Sequence, residues 1–279
     1  MTPDSRTRLA VLGSPIAHSK SPRLHAAAYE LLGAEWSYEA IEVPAGTLAD
    51  FLASMGPEWR GLSLTMPLKQ EVLQHLAETD RLATLAGAAN TVRVADDGRL
   101  LGFNTDIDGI VRTLAEAGVD HVHQGVLIGS GATAASALVA MAELGAAAVR
   151  VHVRDATRAA SLLELAPRLG LVLDVRPVGD LANAGRAELA VSTVPGGTEL
   201  GVVASEDLIA SAALLDVAYD PWPTPLAADW LARGGRVVHG LGMLLHQALL
   251  QVRIFVSGDP LEPLPDEDRV LDVMRRSLD

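Results

Sequence analysis

The sequence predicts an α/β protein of two units, the second built on a doubly wound parallel sheet. Three observations predict it. The chain is 279 residues long, the size of two ordinary domains. From residue 107 onward, short apolar runs alternate with helical stretches, the pattern of parallel strands joined by crossover helices. One of those runs enters a glycine-rich turn that opens a long Ala-rich helix. Hydrophobic residues make up 49% of the chain and aromatic residues only 4%, so the core is aliphatic. No repeat or low-complexity tract interrupts it.

The elements follow in order. Residues 8–12 form a short apolar run that stops at Gly13, a strand. Residues 14–22 are a loop with prolines at 15 and 22. Residues 23–32 carry Leu24, Ala27, Ala28, Leu31 and Leu32 at helical spacing. Residues 36–43 alternate as a strand, 48–55 make a short helix, and 61–65 form a strand ended by Met66-Pro67. Helical stretches at 71–76 and 79–85 follow. Residues 90–94 and 99–103 flank Asp97-Gly98 as a hairpin. Then come a helix at 107–116, a strand at 126–128, the Ala-rich helix, a strand at 149–153 and a helix at 158–165. Strands at 172–175, 189–192 and 214–217 complete the second unit, and the tail is helical at 243–256 and 266–278.

Composition excludes several functions. Lys and Arg total 22 against 35 Asp and Glu, a net charge of −13, which argues against nucleic acid or an anionic membrane as the main partner. There is no cysteine, so no disulfide, thiolate metal site, iron–sulfur cluster or cysteine nucleophile. No spaced set of His and carboxylates marks a metal site. The N-terminal stretch lacks the apolar segment of a secretory signal, and the small-residue stretch 129–149 reads as a buried soluble helix; a cytoplasmic protein is expected. Of the 22 cations only two are lysine, Lys20 and Lys69. A Lys kept in an Arg-biased chain points to chemistry that needs an exchangeable proton.

Gly129-Ser130-Gly131-Ala132-Thr133-Ala134 reads G-x-G-x-x-A after a strand and at the start of a helix. In that context Gly129 makes the turn, Gly131 lets a pyrophosphate approach the backbone, and Ala134 lets the helix pack on the strand. The free N–H groups of the helix start then face the phosphates. This is a Rossmann-type dinucleotide site. At the end of the next strand stand Arg154, Asp155 and Arg158. The two arginines suit the 2′-phosphate of NADP, the aspartate suits the ribose of NAD, and both cofactors stay open on these residues.

In the first unit, Ser19, Lys20, Ser21, Thr65, Lys69, Asn90, Thr91, Asn104, Thr105 and Asp106 gather hydroxyls, amides and charges at element ends, a set suited to a small polyhydroxylated acid. Seven motifs in order extend the pattern over nearly the whole chain. Gly13-Ser14-Pro15-Ile16-Ala17-His18-Ser19-Lys20-Ser21-Pro22 is followed by Leu64-Thr65-Met66-Pro67-Leu68-Lys69, Gly87-Ala88-Ala89-Asn90-Thr91 and Gly102-Phe103-Asn104-Thr105-Asp106. The glycine loop, Tyr219-Asp220-Pro221-Trp222-Pro223-Thr224-Pro225-Leu226 and Gly242-Met243-Leu244-Leu245-His246-Gln247-Ala248 complete the set. With these motifs the chain resembles the shikimate dehydrogenases of the shikimate/quinate dehydrogenase family.

The resemblance implies reversible NADP-dependent reduction of 3-dehydroshikimate to shikimate on the route to aromatic amino acids. It implies that Ser19 and Ser21 bind the substrate carboxylate. Thr65, Asn90, Asp106 and Gln247 then hold the ring hydroxyls with Tyr219 nearby, and Lys69 and Asp106 form the catalytic pair. A Lys ammonium can protonate the alkoxide that hydride delivery leaves, which an Arg guanidinium cannot. Cofactor contacts are expected at the glycine loop, Arg154, Asp155, Arg158, Thr193, Val194, Gly240 and Met243. The expected organisation is a substrate-binding catalytic domain at 1–105, completed by 242–279, and an NADP-binding domain at 106–241. The partner is a small molecule and the protein a monomer or homodimer.

Three positions depart from the family pattern: Ser63-Leu64-Thr65 for Asn-Val-Thr, Ala132-Thr133 where a third glycine is usual, and Val153-Arg154-Asp155 for Asn-Arg-Thr. Two alternatives accompany this reading, an NAD-preferring quinate/shikimate dehydrogenase and a non-catalytic cofactor- or metabolite-binding relative.

Overall fold

The structure, a computed structural model, describes residues 7–278. The first six residues of the stretch read as lacking a leader lie outside the described residues. The chain divides into two compact units, residues 1–105 with 245–279, and residues 106–244.

The first unit runs β1 (Arg8–Gly13), α1 (Ser21–Leu32), β2 (Ser37–Glu42), α2 (Leu48–Ala53), β3 (Trp59–Leu64), α3 (Leu68–Glu71), β4 (Glu78–Thr79), α4 (Arg81–Ala86), β5 (Thr91–Val94) and β6 (Leu100–Phe103). Its sheet has the order β2-β1-β3-β5-β6-β4. β1, β2 and β3 are parallel, whereas β5 runs antiparallel to β3 and β6, so the sheet is mixed. Strand β3 is buried throughout, with Leu62 and Leu64 in a core shared with Leu12, Leu48, Leu68 and Val92. α1 starts two residues before the expected 23, because Pro22 fits the first turn, where its missing N–H costs nothing. The expected helix 71–76 is α3 followed by a 3-10 turn, Val72–His75. The expected helix 79–85 starts only at Arg81, because the Asp80 carboxylate accepts the Ala83 N–H at 2.6 Å as its N-cap, while Thr79 is taken up in a strand beside β6.

The second unit runs α5 (Asp106–Glu116), β7 (Gln124–Ile128), α6 (Ala132–Glu143), β8 (Ala148–Val153), α7 (Ala160–Leu165), β9 (Val172–Pro177), β10 (Leu189–Ser192), α8 (Glu206–Ser211), β11 (Ala213–Asp216), α9 (Pro225–Ala232) and β12 (Arg236–His239). All six strands are parallel in the order β12-β11-β10-β7-β8-β9. The chain winds outward from β7 in one direction and from β10 in the other, which puts the switch point between these two strands. Three elements escape the periodicity. α8 and α9 are marked by their caps, Ser205 and Thr224, and β12 is four residues on the sheet edge. The expected helix start at Arg158 is a 3-10 turn, Ala156–Ala159, ahead of α7.

Two helices end the chain, α10 (Gly240–Ser257) and α11 (Glu267–Arg276). The joint between the units falls inside α10 at Leu245, three residues beyond 242. Among the described residues α10 is the one helix long and apolar enough to cross a membrane, and 72% of it is buried in the protein. α11 packs on α1.

α1 carries a titratable group into the core. The His25 ring is fully buried, stacked on Tyr38 with centroids 3.9 Å apart. Burial pulls its pKa from 6.5 down to about 3. The unfolded chain therefore protonates at His25 near pH 6.5 while the fold resists to about pH 3. His25 costs no stability above pH 6.5, and below it the fold loses about 1.4 kcal/mol per pH unit on this account. Urea unfolding at pH 6.5 and 4.5 is expected to show this loss, and His25→Phe to reduce the slope.

Candidate active site

In the first unit the polar residues are set by the strand ends. Gly13 closes β1 where a Cβ would lie 2.3 Å from Thr65 Cγ2 and 2.9 Å from the Met66 carbonyl, so the two loops approach as only glycine allows. The Thr65 N–H donates to Leu12 O at 2.9 Å, which fixes Thr65 just past β3. Ser21 opens α1 and is buried, and its N–H donates to Ser19 Oγ at 3.3 Å. Lys69 is only 9% exposed, on α3, and its carbonyl accepts the Ala89 N–H at 2.8 Å. That bond holds the lysine helix against the loop that ends in Asn90.

Asn90 is 1% exposed and fully engaged. Its Oδ1 accepts the Thr105 N–H and the Thr91 hydroxyl, both at 2.9 Å. Its Nδ2 donates to Thr105 Oγ1 at 2.9 Å and to Gln247 Oε1 at 3.3 Å. Because the Thr105 N–H can only donate, it fixes which end of the amide is oxygen. Asn104 is buried alongside, with its Nδ2 donating to Ala88 O at 2.9 Å. The structure thus brings Asn90, Gln247, Thr91 and Thr105 into one hydrogen-bonded group and ties Lys69 to it through Ala89.

In the second unit, Asp106 is the buried first residue of α5. Gly129 ends β7 at φ +117°, and a Cβ there would meet Thr193 Oγ1 at 2.3 Å. Thr193 extends β10 and gives its N–H to Ile128 O at 2.9 Å, so Gly129 and Thr193 meet at the switch point, with Val194 following. Gly131 precedes α6 in extended backbone with no side-chain cap, and its Cβ position faces open space. Ser130, Ala132 and Thr133 are half-buried along this start, and Ala134 is fully buried under the helix. The start of α6 and the open approach at Gly131 fit a pyrophosphate.

Arg154, Asp155 and Arg158 are exposed beyond β8. Asp155 is committed to its own turn, where Oδ1 accepts the Thr157 N–H at 2.9 Å and the Thr157 hydroxyl at 2.7 Å. The Thr157 hydroxyl and backbone hold its carboxyl below the usual range. At this position Asp155 caps the 3-10 turn that follows, with the Arg154 and Arg158 guanidinium groups exposed beside it.

Tyr219 is half-buried in the loop after β11. Asp216 anchors that loop, accepting the Thr224 hydroxyl at Oδ2 and the Ala218 N–H at Oδ1. Burial pushes the Asp216 carboxyl up, against these bonds. The Trp222 ring lies on His239, centroids 3.8 Å apart, and His239 Nδ1 accepts the Leu241 N–H at 2.9 Å, capping α10. Gly240 and Met243 fall in the first turns of that helix, Met243 buried.

Sequence reading did not single out Gln251, Tyr38 or Ser63 as a linked group, although Gln251 stands one helical turn past Gln247 on α10. His75 is half-buried with Nε2 enclosed. Among the described residues no group of three or more His, Asp or Glu side chains gathers as a metal site does. The arrangement offers neutral donors and acceptors beside a lysine in one unit and a phosphate-accepting helix start with outward guanidinium groups in the other.

A model of the shikimate dehydrogenase substrate binding domain matches residues 11–92. The chain is 36% identical over 274 residues to a shikimate dehydrogenase (NADP(+)) of Thermus thermophilus, covering 97% of this chain and 98% of that one. Its fold is similar to the crystal structure of Mycobacterium tuberculosis shikimate dehydrogenase, with TM-score 0.81 and 41% identity over 98% of each chain. It is likewise similar to a Thermus thermophilus shikimate 5-dehydrogenase in complex with NADP(H) and shikimate, with TM-score 0.79 and 34% identity over 97% and 99% of the chains.

Gly240 supplies a check on the second unit. A Cβ there would lie 2.4 Å from the Val217 carbonyl oxygen and 2.7 Å from that of Asp216. Gly240→Ala must move the backbone after β11 and is expected to cost about 1–3 kcal/mol, read as a lower calorimetric unfolding midpoint.

Proposed function

The chain belongs to the shikimate dehydrogenase family, and we propose on that premise that it catalyses the reversible NADPH-dependent reduction of 3-dehydroshikimate to shikimate. The observation that carries the reading is Lys69, one of two lysines in the chain, buried on α3 and tied through Ala89 to the Asn90–Gln247 amide group.

In this reading Ser19 and Ser21 take the substrate carboxylate at the start of α1. Thr65, Asn90, Asp106 and Gln247 take the ring hydroxyls, with Tyr219 beside them. NADPH supplies the hydride to the ketone carbon when bound. The Lys69 ammonium gives its proton to the carbonyl oxygen as the C–O bond becomes a hydroxyl, with Asp106 as its catalytic partner. In the oxidative direction neutral Lys69 takes that proton back. Gly129 to Ala134 hold the pyrophosphate, with Thr193 and Val194 lining the turn. Gly240 and Met243 meet the nicotinamide. Arg154 and Arg158 pair with the 2′-phosphate, which the engagement of Asp155 Oδ1 by Thr157 supports. The ligands are small molecules, and the acidic chain supports a cytoplasmic location without a nucleic-acid partner.

Two variants test these roles. Lys69→Met is expected to lower kcat by about 10²–10⁴-fold, the range for a lost general acid, while NADPH binding followed by nicotinamide fluorescence stays unchanged. Retained turnover would remove Lys69 from the mechanism. Arg154→Ala is expected to raise KM for NADP by about 10-fold or more and to leave KM for NAD unchanged. An equal rise for both cofactors would take the 2′-phosphate away from this residue.

A further inference from the structure

Gln251 lies on α10, 2% exposed, and each of its amide atoms is used twice. Nε2 donates to the Asn90 backbone carbonyl at 3.2 Å and to Thr91 Oγ1 at 3.0 Å. A backbone carbonyl can only accept, so it fixes the NH2 end of this amide. Oε1 accepts the Ser63 hydroxyl at 2.9 Å and the His25 Nε2–H at 3.2 Å. Both arms continue outward. Thr91, receiving from Gln251, gives its own hydroxyl proton to Asn90 Oδ1 at 2.9 Å. Ser63, giving to Gln251, receives the Tyr38 hydroxyl proton at 2.7 Å, and the buried Ser21 side chain acts electrostatically on the Tyr38 hydroxyl.

One buried amide thus stands between Ser21 and Asn90. The hydrogen bonds from Tyr38 through Ser63, Gln251 and Thr91 to Asn90 are directional and join buried or half-buried residues, so water cannot replace a lost partner without opening the core. On the proposed function, Ser21 meets the carboxylate of the substrate and Asn90 its ring hydroxyls.

We propose that Gln251 is a positioning residue for substrate recognition: through Thr91 on one side and Ser63 and Tyr38 on the other, it holds Asn90 and Ser21 in the mutual register that a carboxylated, hydroxylated ring requires. It touches no reacting atom. Its contribution is to substrate affinity, with the chemical step and the cofactor end untouched. Ser63 takes part as a hydroxyl, because it donates to Gln251 while accepting from Tyr38, the two roles one serine oxygen fills at once.

The test uses three variants and two readouts on the full chain. Tyr38→Phe and Thr91→Val each delete one hydroxyl, and each is expected to raise KM for shikimate about 5-fold, one neutral hydrogen bond. Gln251→Met cuts both arms at once, with an expected rise of about 25-fold. kcat and KM for NADP should stay within about twofold in all three. Adding Thr91→Val to Gln251→Met should change KM by less than about twofold, because the arm is already cut. The second readout needs no turnover: the Asn90 side-chain amide signals in 15N-labelled protein should shift alike in Thr91→Val and Gln251→Met. The proposal is overturned by single variants that leave KM for shikimate within twofold, by multiplicative Gln251→Met and Thr91→Val effects, or by Asn90 amide signals unmoved in Gln251→Met. If the wild type does not turn over shikimate, the proposed function fails, and the amide signals alone still decide whether Gln251 positions Asn90.

Discussion

The Asn90 side chain has two donors and an acceptor oxygen enclosed in protein, and the need to satisfy them organises the first unit. An unpaired buried amide would cost about 1–3 kcal/mol per group. The solution draws in the Thr105 backbone just past β6, the Thr91 hydroxyl from β5 and the Gln247 amide from α10. Residues from both ends of the sequence of this unit are thereby fixed to one point. The same loop receives α3 through the Ala89 N–H, which is how a lysine 21 positions upstream is held beside the group.

The second unit answers a different constraint. A parallel sheet that winds both ways from its middle leaves a gap where the two directions part, and here that gap lies between β7 and β10. Gly129 fits it because no side chain could share the space with Thr193, and the helix that starts beyond it leaves its first N–H groups without a side-chain cap. At the same carboxyl end of the sheet, Asp216 and His239, register partners on β11 and β12, hold the next loop, one through Thr224 and the other through Trp222. Polar side chains at strand ends thus shape both units, as loop anchors in the second and as one buried hydrogen-bonded group in the first.

The sequence made visible what depends on local pattern. The apolar runs of β1, β3, β7, β8, β10 and β11, the Asp97-Gly98 hairpin and the glycine loop each carry their own signal. α8, α9 and β12 do not, because α8 and α9 are short and rest on caps, and β12 rests on one neighbouring strand. Asp155 shows the same limit at a site. Its charge suggested a ribose partner, but that Oδ1 caps Thr157 is a matter of backbone geometry that residue type does not encode. Lys69, Asn90, Thr91 and Thr105 stood out as polar residues at element ends, and Gln247 through the family resemblance. The buried links behind them were not, because Gln251, Ser63 and Tyr38 come from three distant stretches and meet only through packing.

The account stands on the claim that this polar group and the glycine-loop helix serve one hydride-transfer reaction with a phosphorylated cofactor. The most direct measurement is the initial rate of shikimate oxidation by the purified wild-type chain, followed by reduced-nicotinamide absorbance with NADP and with NAD in parallel. The account predicts shikimate-dependent reduction with both the higher kcat/KM and the lower KM for NADP. Absence of shikimate-dependent reduction with either cofactor, or a clear preference for NAD, would contradict it.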